Sequence, residues 1–330
     1  MDANLLQSVI IPTYNRKALL AEAISSVLNQ TQTSLEVIVV DDCSTDGTED
    51  FVRGMNDERV RYVRNEKNSG QEYSRMIGFR QARGKYVTFL DDDDYYTDYE
   101  FFAKAAKIFV EHENDNIPLA MVCANAKFLN VTTGESNDSN IGRPGRVKGI
   151  DYILKPEYRK PPSVFPAVFS AEALRRAGLT DMIIFDGTTY VQAAMHGDMW
   201  ILSDVIGIYR IHGNNHSKGL KDHKADSARR YFIIEEEIKR RKLIRDELRR
   251  NGKSNEASKW YVSRMISQSN FYAIARPGLK DRLRTLYIIL KVSGFMPKLW
   301  LKLTAHFIKN GLAHVTPLRN LWKVIRGKMN

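Results

Sequence analysis

The chain has 330 residues, 43% of them hydrophobic, enough for one large domain or for a core domain with an appendage. Its two cysteines, Cys43 and Cys123, exclude a disulfide framework and a cysteine metal site and fit a reducing compartment, and the first apolar run, cut by Pro12, is too short for a signal peptide or a membrane span. The basic excess is segregated: residues 276–330 carry twelve of the 50 Lys+Arg and one of the 39 Asp+Glu, Asp281, leaving 38 of each in 1–275 and the whole +11 in the tail.

From Ser8 the pattern alternates. "SVIIP" (8–12) reads as a buried strand, "ALLAEAISSVLNQ" (18–30) as a helix and "LEVIVVDD" (35–42) as a second buried strand. A helix seeded by "STDGTEDFV" (44–52), a strand at "RVRYVRN" (59–65), a helix over "QEYSRMIGFRQA" (71–82) and the strand "KYVTFLD" (85–91) follow. Strands that are apolar throughout, alternating with helices, predict a mostly parallel α/β sheet covered on both faces, whose ligands gather at the carboxyl ends of the strands. The helix 99–113, the strand 118–129, a Gly/Asn/Ser-rich hairpin or mobile loop at 133–149 and a strand-then-helix at 161–181 come next. A helix over 187–196 and a strand at 200–217 that opens into a polar loop precede a charged helical region, 221–275.

Chemistry is expected where acids end apolar strands. Asp41 and Asp42 close one strand, where Ser44 or Thr45 is the expected helix cap. "LDDDD" closes another, and four adjacent carboxylates raise one another's pKa unless a cation or helix terminus compensates them. Asp91 and Asp93, two apart in extended chain, can reach one hard divalent cation. Asp92 is expected to face sugar or solvent and Asp94 to support the loop. Such a cation would grip phosphate oxygens and neutralise a leaving diphosphate.

The segments "SVIIPTYNR", "SSVLNQT", "VIVVDDCSTDGT", "NEKNSGQEYSRMIGFRQARGKYVTFLDDDD" and "YRIHGNNHS" resemble the family-two inverting glycosyltransferases of the GT-A fold, of the kind used in bacterial surface-polysaccharide synthesis. The resemblance spans roughly the first two thirds of the chain. It implies transfer of a hexose or N-acetylhexosamine from a UDP-sugar to a glycan hydroxyl, with Mn²⁺ or Mg²⁺. It places Pro12, Thr13 and Tyr14 at the uracil, Asp42 as acceptor from the base, Asn68 and Arg75 on the nucleotide side, and Asp91 and Asp93 in the DxD motif, with Asp92 beside the donor. It makes Asp93 the direct metal ligand, Asp91 a ligand or ribose contact, and His212 a further candidate near the diphosphate. The general base falls at Asp186 by position, although Phe185 stands where many relatives carry Glu; Asp181 is the fallback, with Asp198 behind it. A helix cap is the bland role for Asp186.

Residues 295–312 and 316–330 read as basic amphipathic helices with Trp300 and Trp322. They suit the interface of an anionic membrane. Packing against the core or another subunit is the competing reading, and no motif points to nucleic acid. The chain is thus expected to comprise a GT-A domain at 1–220 (nucleotide-sugar half to about 98, acceptor half 99–220) and a helical region at 221–330. It would be cytoplasmic and peripheral on the inner face of the membrane, acting on a glycan or lipid-linked glycan, with oligomers possible through its C-terminal helices. A sugar-phosphate nucleotidyltransferase and an inactive scaffold subunit are the alternatives.

Overall fold

Residues 7–155, 157–159, 161, 163–212, 227–274, 287–288 and 291 are described by a computed structural model. The chain divides into two compact units, 1–212 and 213–330.

The first unit is built on a ten-stranded sheet. Its first half alternates β1 (Gln7–Thr13), α1 (Lys17–Leu28), β2 (Leu35–Asp41), α2 (Thr48–Arg53), β3 (Val60–Arg64), α3 (Gln71–Gln81) and β4 (Tyr86–Phe89). β1 pairs in parallel with β2 and β4, and β2 with β3. Every residue of β1, β2 and β4 is buried, as uninterrupted apolar strands between two helical layers require. Val9 and Ile11 pack into the core that holds Leu20, Ala23, Ile24 and Val27 of α1. On the other face α3 crosses so closely that a Cβ on Gly78 would lie 2.4 Å from Ile10 Cγ2 and 3.1 Å from Val40 Cγ2. That approach presses α3 onto the sheet and carries Arg75, one turn earlier, inside with it.

The second half adds β5 (Tyr95–Tyr96), α4 (Phe101–Glu111), β6 (Leu119–Asn130), β7 (Ser136–Asp138), β8 (Gly145–Val147), α5 (Gly149–Leu154), β9 (Ala167–Ser170), α6 (Ala171–Arg176), α7 (Asp186–Ala194) and β10 (Asp198–Ile211). The main strand order is β3-β2-β1-β4-β9-β6-β10-β5. β9 is antiparallel to both β4 and β6, so the sheet is mixed where the two halves meet. The region 133–149 contains two short strands that pair with different partners, β7 with β6 and β8 with β10, rather than with each other as a hairpin.

In the second unit, α8 (Ser227–Arg250) and α9 (Ser254–Ile274) form a helical pair joined by a turn at Gly252, whose φ is +79 at no point but +77, a left-handed value glycine adopts without strain. Ile234, Ile238 and Leu248 of α8 and Ala257 and Tyr261 of α9 are buried at helical spacing. Among the described residues no helix is long and apolar enough to cross a membrane. Apart from Tyr287, Ile288 and Lys291, the basic tail 276–330 lies outside the described residues, as do His216 and the polar loop after His212.

Candidate active site

The acidic run sits between β4 and β5. Leu90 N donates to Ile10 O at 3.0 Å, which extends the β4 pairing to the sheet's carboxyl edge. The chain then turns, with Asp94 N donating to Asp91 O at 3.1 Å. The two residues of β5 pair with Gly207 and Ile208, which hangs the acidic turn beside the end of β10. Only glycine fits at 207: an added Cβ would meet Tyr95 O at 2.5 Å and Phe165 Cε2 at 2.9 Å. Arg210 and His212 follow three and five residues later. Arg210 N donates to Asp94 Oδ1 at 3.0 Å, Arg210 Nη1 to Asp93 O at 3.1 Å, and His212 Nε2 lies 3.0 Å from Asp93 Oδ2.

The four aspartates have different partners. Asp91 Oδ1 accepts from Arg75 and Oδ2 from Ser163 Oγ at 3.0 Å. Asp92 does not face solvent as expected. It is 5% exposed, and it accepts from Thr13 Oγ1 at 2.8 Å and from Arg16 Nη1 at 3.0 Å, because the end of β1 passes directly beside it. Asp93 Oδ2 accepts from the same Arg16 nitrogen at 2.8 Å. Asp94 is wholly buried, and its Oδ2 has no hydrogen-bond partner.

Burial, then the neighbouring acids, pushes Asp94 well above the usual carboxylate range, and burial also raises Asp91 against the pull of Arg75. Asp92 is pushed up to about 7 by burial, with Arg16 opposing and Asp93 adding to the shift. An unpartnered buried oxygen among crowded carboxylates is a site short of positive charge. Asp91, Asp93 and Asp94 each bring an oxygen within 4.8 Å of the others, so the residues fit a divalent cation with hard oxygen ligands. Asp94, expected only to support the loop, belongs to that cluster.

Arg75 is expected at the nucleotide, yet its side chain is fully buried. Its Nη2 donates to Asp91 Oδ1 and its Nη1 to Asp186 Oδ1, while Ile184 O lies 3.5 Å from Nη1. Burial opposes its charge, but Asp186 and Asp91 outweigh burial and raise its pKa. Asp186 is the first residue of α7 rather than its cap: Phe185 holds the cap position in extended conformation, with no side-chain cap bond. Phe185 itself is buried and its carbonyl accepts from Thr189 Oγ1 at 2.8 Å. The other two candidate bases lie elsewhere. Asp181 is 82% exposed at its side chain and 3.4 Å from Arg80, and Asp198 accepts from Arg146 Nε at 2.9 Å and Gly149 N at 3.0 Å.

At the nucleotide end, Pro12 and Thr13 are buried at the tip of β1 and Tyr14 is 44% exposed. Asp42 accepts from Asn65 Nδ2 and Ser69 N at 2.8 Å and from Gly70 N at 2.6 Å, clamping the loop that carries exposed Asn68 into α3. Neither Ser44 nor Thr45 caps α2. Ser44 Oγ instead accepts from Asn15 N at 2.9 Å, and Thr45 N donates to Asn15 Oδ1 at 2.8 Å, lacing the β1 and β2 loops together. Gly47, at φ +79, turns into the helix.

Arg16, Ser163, Asp94 and Arg210 belong to this constellation and were not singled out as site residues from the sequence. Arg16 had a signal, since it ends the same strand tip as Thr13 and Tyr14. Ser163 had none, being 72 residues from Asp91.

The sequence profile described as "Glycosyl transferase family 2" matches residues 8–175, just over half of the chain. Over 90 residues the chain is 46% identical to the GalNAc(5)-diNAcBac-PP-undecaprenol beta-1,3-glucosyltransferase of Campylobacter jejuni, covering 26% of this chain and 29% of that protein. Over 114 residues it is 33% identical to the UDP-Glc:alpha-D-GlcNAc-diphosphoundecaprenol beta-1,3-glucosyltransferase WfaP of Escherichia coli, covering 33% of this chain and 45% of that protein. The matches thus span less than half the length of either relative. A crystal structure of residues 1–349 of Staphylococcus aureus TarS in complex with UDP-GlcNAc superposes with a TM-score of 0.69 at 21% identity, covering 98% of this chain and 92% of that one, a likeness of fold.

Proposed function

The chain belongs to glycosyl transferase family 2 and has the GT-A fold, and from that premise we propose that it is an inverting, divalent-metal-assisted glycosyltransferase that moves a hexose or N-acetylhexosamine from a UDP-sugar to a glycan hydroxyl. The observation that carries this reading is the convergence of Asp91, Asp93 and Asp94 at the carboxyl edge of the sheet, with Asp186 held beside them through Arg75.

Asp91, Asp93 and Asp94 would hold Mn²⁺ or Mg²⁺, with His212 beside Asp93 as a further candidate ligand. When bound, the cation supplies positive charge that stabilises the departing diphosphate. Pro12, Thr13 and Tyr14 line the uracil end, Asp42 accepts from the base, and Asn68 reaches the nucleotide from the loop that Asp42 clamps. Arg16, already shared by Asp92 and Asp93, adds a cation near the phosphates. Asp186 takes the acceptor hydroxyl's proton as its oxygen bonds to the anomeric carbon from the face opposite the diphosphate. The anomeric carbon–oxygen bond to the diphosphate breaks with its electron pair, and UDP leaves.

The acceptor is a polyprenyl-diphosphate-linked glycan. Both glucosyltransferase relatives are named for undecaprenyl-diphosphate substrates, and the basic residues 276–330 would hold the enzyme against the anionic leaflet that carries such a lipid. Glucose and N-acetylglucosamine are the first donors to try. Full-length protein with Mn²⁺ is expected to release UDP from one of them, with the release lost in Asp93→Ala and in EDTA. Undiminished release by Asp93→Ala would sink the reading.

A further inference from the structure

We infer that Arg75 is a positioning residue that sets the proposed base Asp186 against the donor-side carboxylate Asp91, and that it is not a ligand of the nucleotide. The inference rests on the glycosyltransferase reading above and names how its two halves are held in register.

The geometry is that of a fork. A guanidinium is planar, and its two terminal nitrogens stand at a fixed spacing. One of them meets Asp91 on the turn after β4, the other meets Asp186 in the first turn of α7, 111 residues away in sequence from Arg75. Each carboxylate comes from a different half of the unit, so one rigid group ties the donor side to the acceptor side. Arg75 is 0% exposed. To reach a nucleotide it would have to leave both carboxylates behind as buried anions, which makes a ligand role unfavourable. The remaining anchors point the same way. Ser163 Oγ donates to the second oxygen of Asp91 at 3.0 Å, and Tyr190 OH, from α7 itself, donates to Ser163 O at 2.9 Å. The helix bearing Asp186 is therefore coupled to Asp91 by two routes, and Arg75 is the one that touches both carboxylates.

Arg75→Lys tests this, because it keeps the charge but cannot span two partners. UDP affinity is measured by calorimetry on the full-length protein at saturating Mn²⁺, and sugar transfer by steady-state kinetics per folded protein. The expected result is a UDP Kd within about threefold of wild type and a kcat lower by about 100-fold, the scale on which small misplacements act. In the Asp186→Asn background, Arg75→Lys is expected to remove no further transfer activity, since a residue acting only through the base has nothing left to position. A purely structural role would lower both backgrounds by the same factor and overturn the inference. So would a UDP Kd weakened more than tenfold with kcat retained. If Arg75→Lys does not fold, the double variant Arg75→Gln/Asp186→Asn neutralises the pair together and carries the same UDP titration, with unchanged affinity expected and lost affinity decisive against it. Failure of the underlying reading looks different: the wild type itself would release no UDP, or Asp186→Asn would transfer at the wild-type rate.

Discussion

Four adjacent aspartates share one turn, and their partners separate them. Asp93 and Asp94 lie in the metal-fitting cluster, Asp91 serves both that cluster and Arg75, and Asp92 is enclosed by Thr13 and Arg16. Asp93→Asn should therefore abolish metal-dependent transfer, by about 100-fold or more on the scale of lost charge stabilisation. Asp92→Asn keeps the shape of a buried side chain that reaches no cation here and should cost less than about tenfold; equal losses would mean that the register of ligands is displaced by one. Asp92 also gives a stability signature. Its folded pKa of about 7 lies above the ordinary 3.8, so between those values the folded state holds a proton that the unfolded chain has released. Stability from this group is full below pH 3.8 and falls as pH rises through 7, by on the order of 4 kcal/mol at most. In EDTA, where no cation offsets the charge, the wild-type Tm should drop more steeply than that of Asp92→Asn over this interval. Parallel pH–Tm curves for the two proteins would refute the assignment.

At the scale of elements, the first half of the sheet was legible because its signal is local. Strands buried on both faces are apolar at every position, and the intervening helices carry their own spacing, so β1 to β4 emerge from short windows of sequence. What was not legible depends on partners far along the chain. Arg75 and Arg80 look alike as basic residues on one helix, yet only Arg75 is buried, because its carboxylates arrive 16 and 111 residues later. Arg16 is paired across 76 residues, and β5 is two residues long, too short to carry a period. The candidate bases show the same limit: Asp181 and Asp186 are five apart, and only the fold separates the exposed one from the one on Arg75. β5 matters out of proportion to its length, since it ties the acidic turn to β10 through Gly207. Gly207→Ala would drive a methyl into Tyr95 O, a backbone atom that cannot rotate aside. The expected loss is about 1–3 kcal/mol of stability. It should come with weaker Mn²⁺ dependence of activity, as Arg210 and His212 separate from Asp93 and Asp94. A variant with the wild-type metal titration would show that β5 does not hold the turn in place.

At the scale of the whole molecule, charge is divided more sharply than structure. Residues 1–275 carry 38 basic and 38 acidic side chains, while 276–330 carry twelve and one. A balanced catalytic region has no net pull toward a membrane, so attraction to an anionic surface must come from the tail, at about 1 kcal/mol for each basic residue that reaches it. Because that attraction is screened within about 8 Å at physiological salt, it must weaken as salt is added, whereas apolar burial by Trp300 and Trp322 would not. Full-length protein is expected to sediment with phosphatidylglycerol vesicles at low salt, to do so less at 0.5 M NaCl (a salt level at which screening shortens to about 4 Å), and to ignore phosphatidylcholine vesicles. Lys298→Glu, Lys302→Glu and Lys309→Glu together change the charge by six and should release it, while leaving UDP affinity in solution unaltered. Sedimentation unchanged by these substitutions would assign the tail to packing or self-association, and the lipid-linked acceptor would then have to be recognised by the catalytic unit alone.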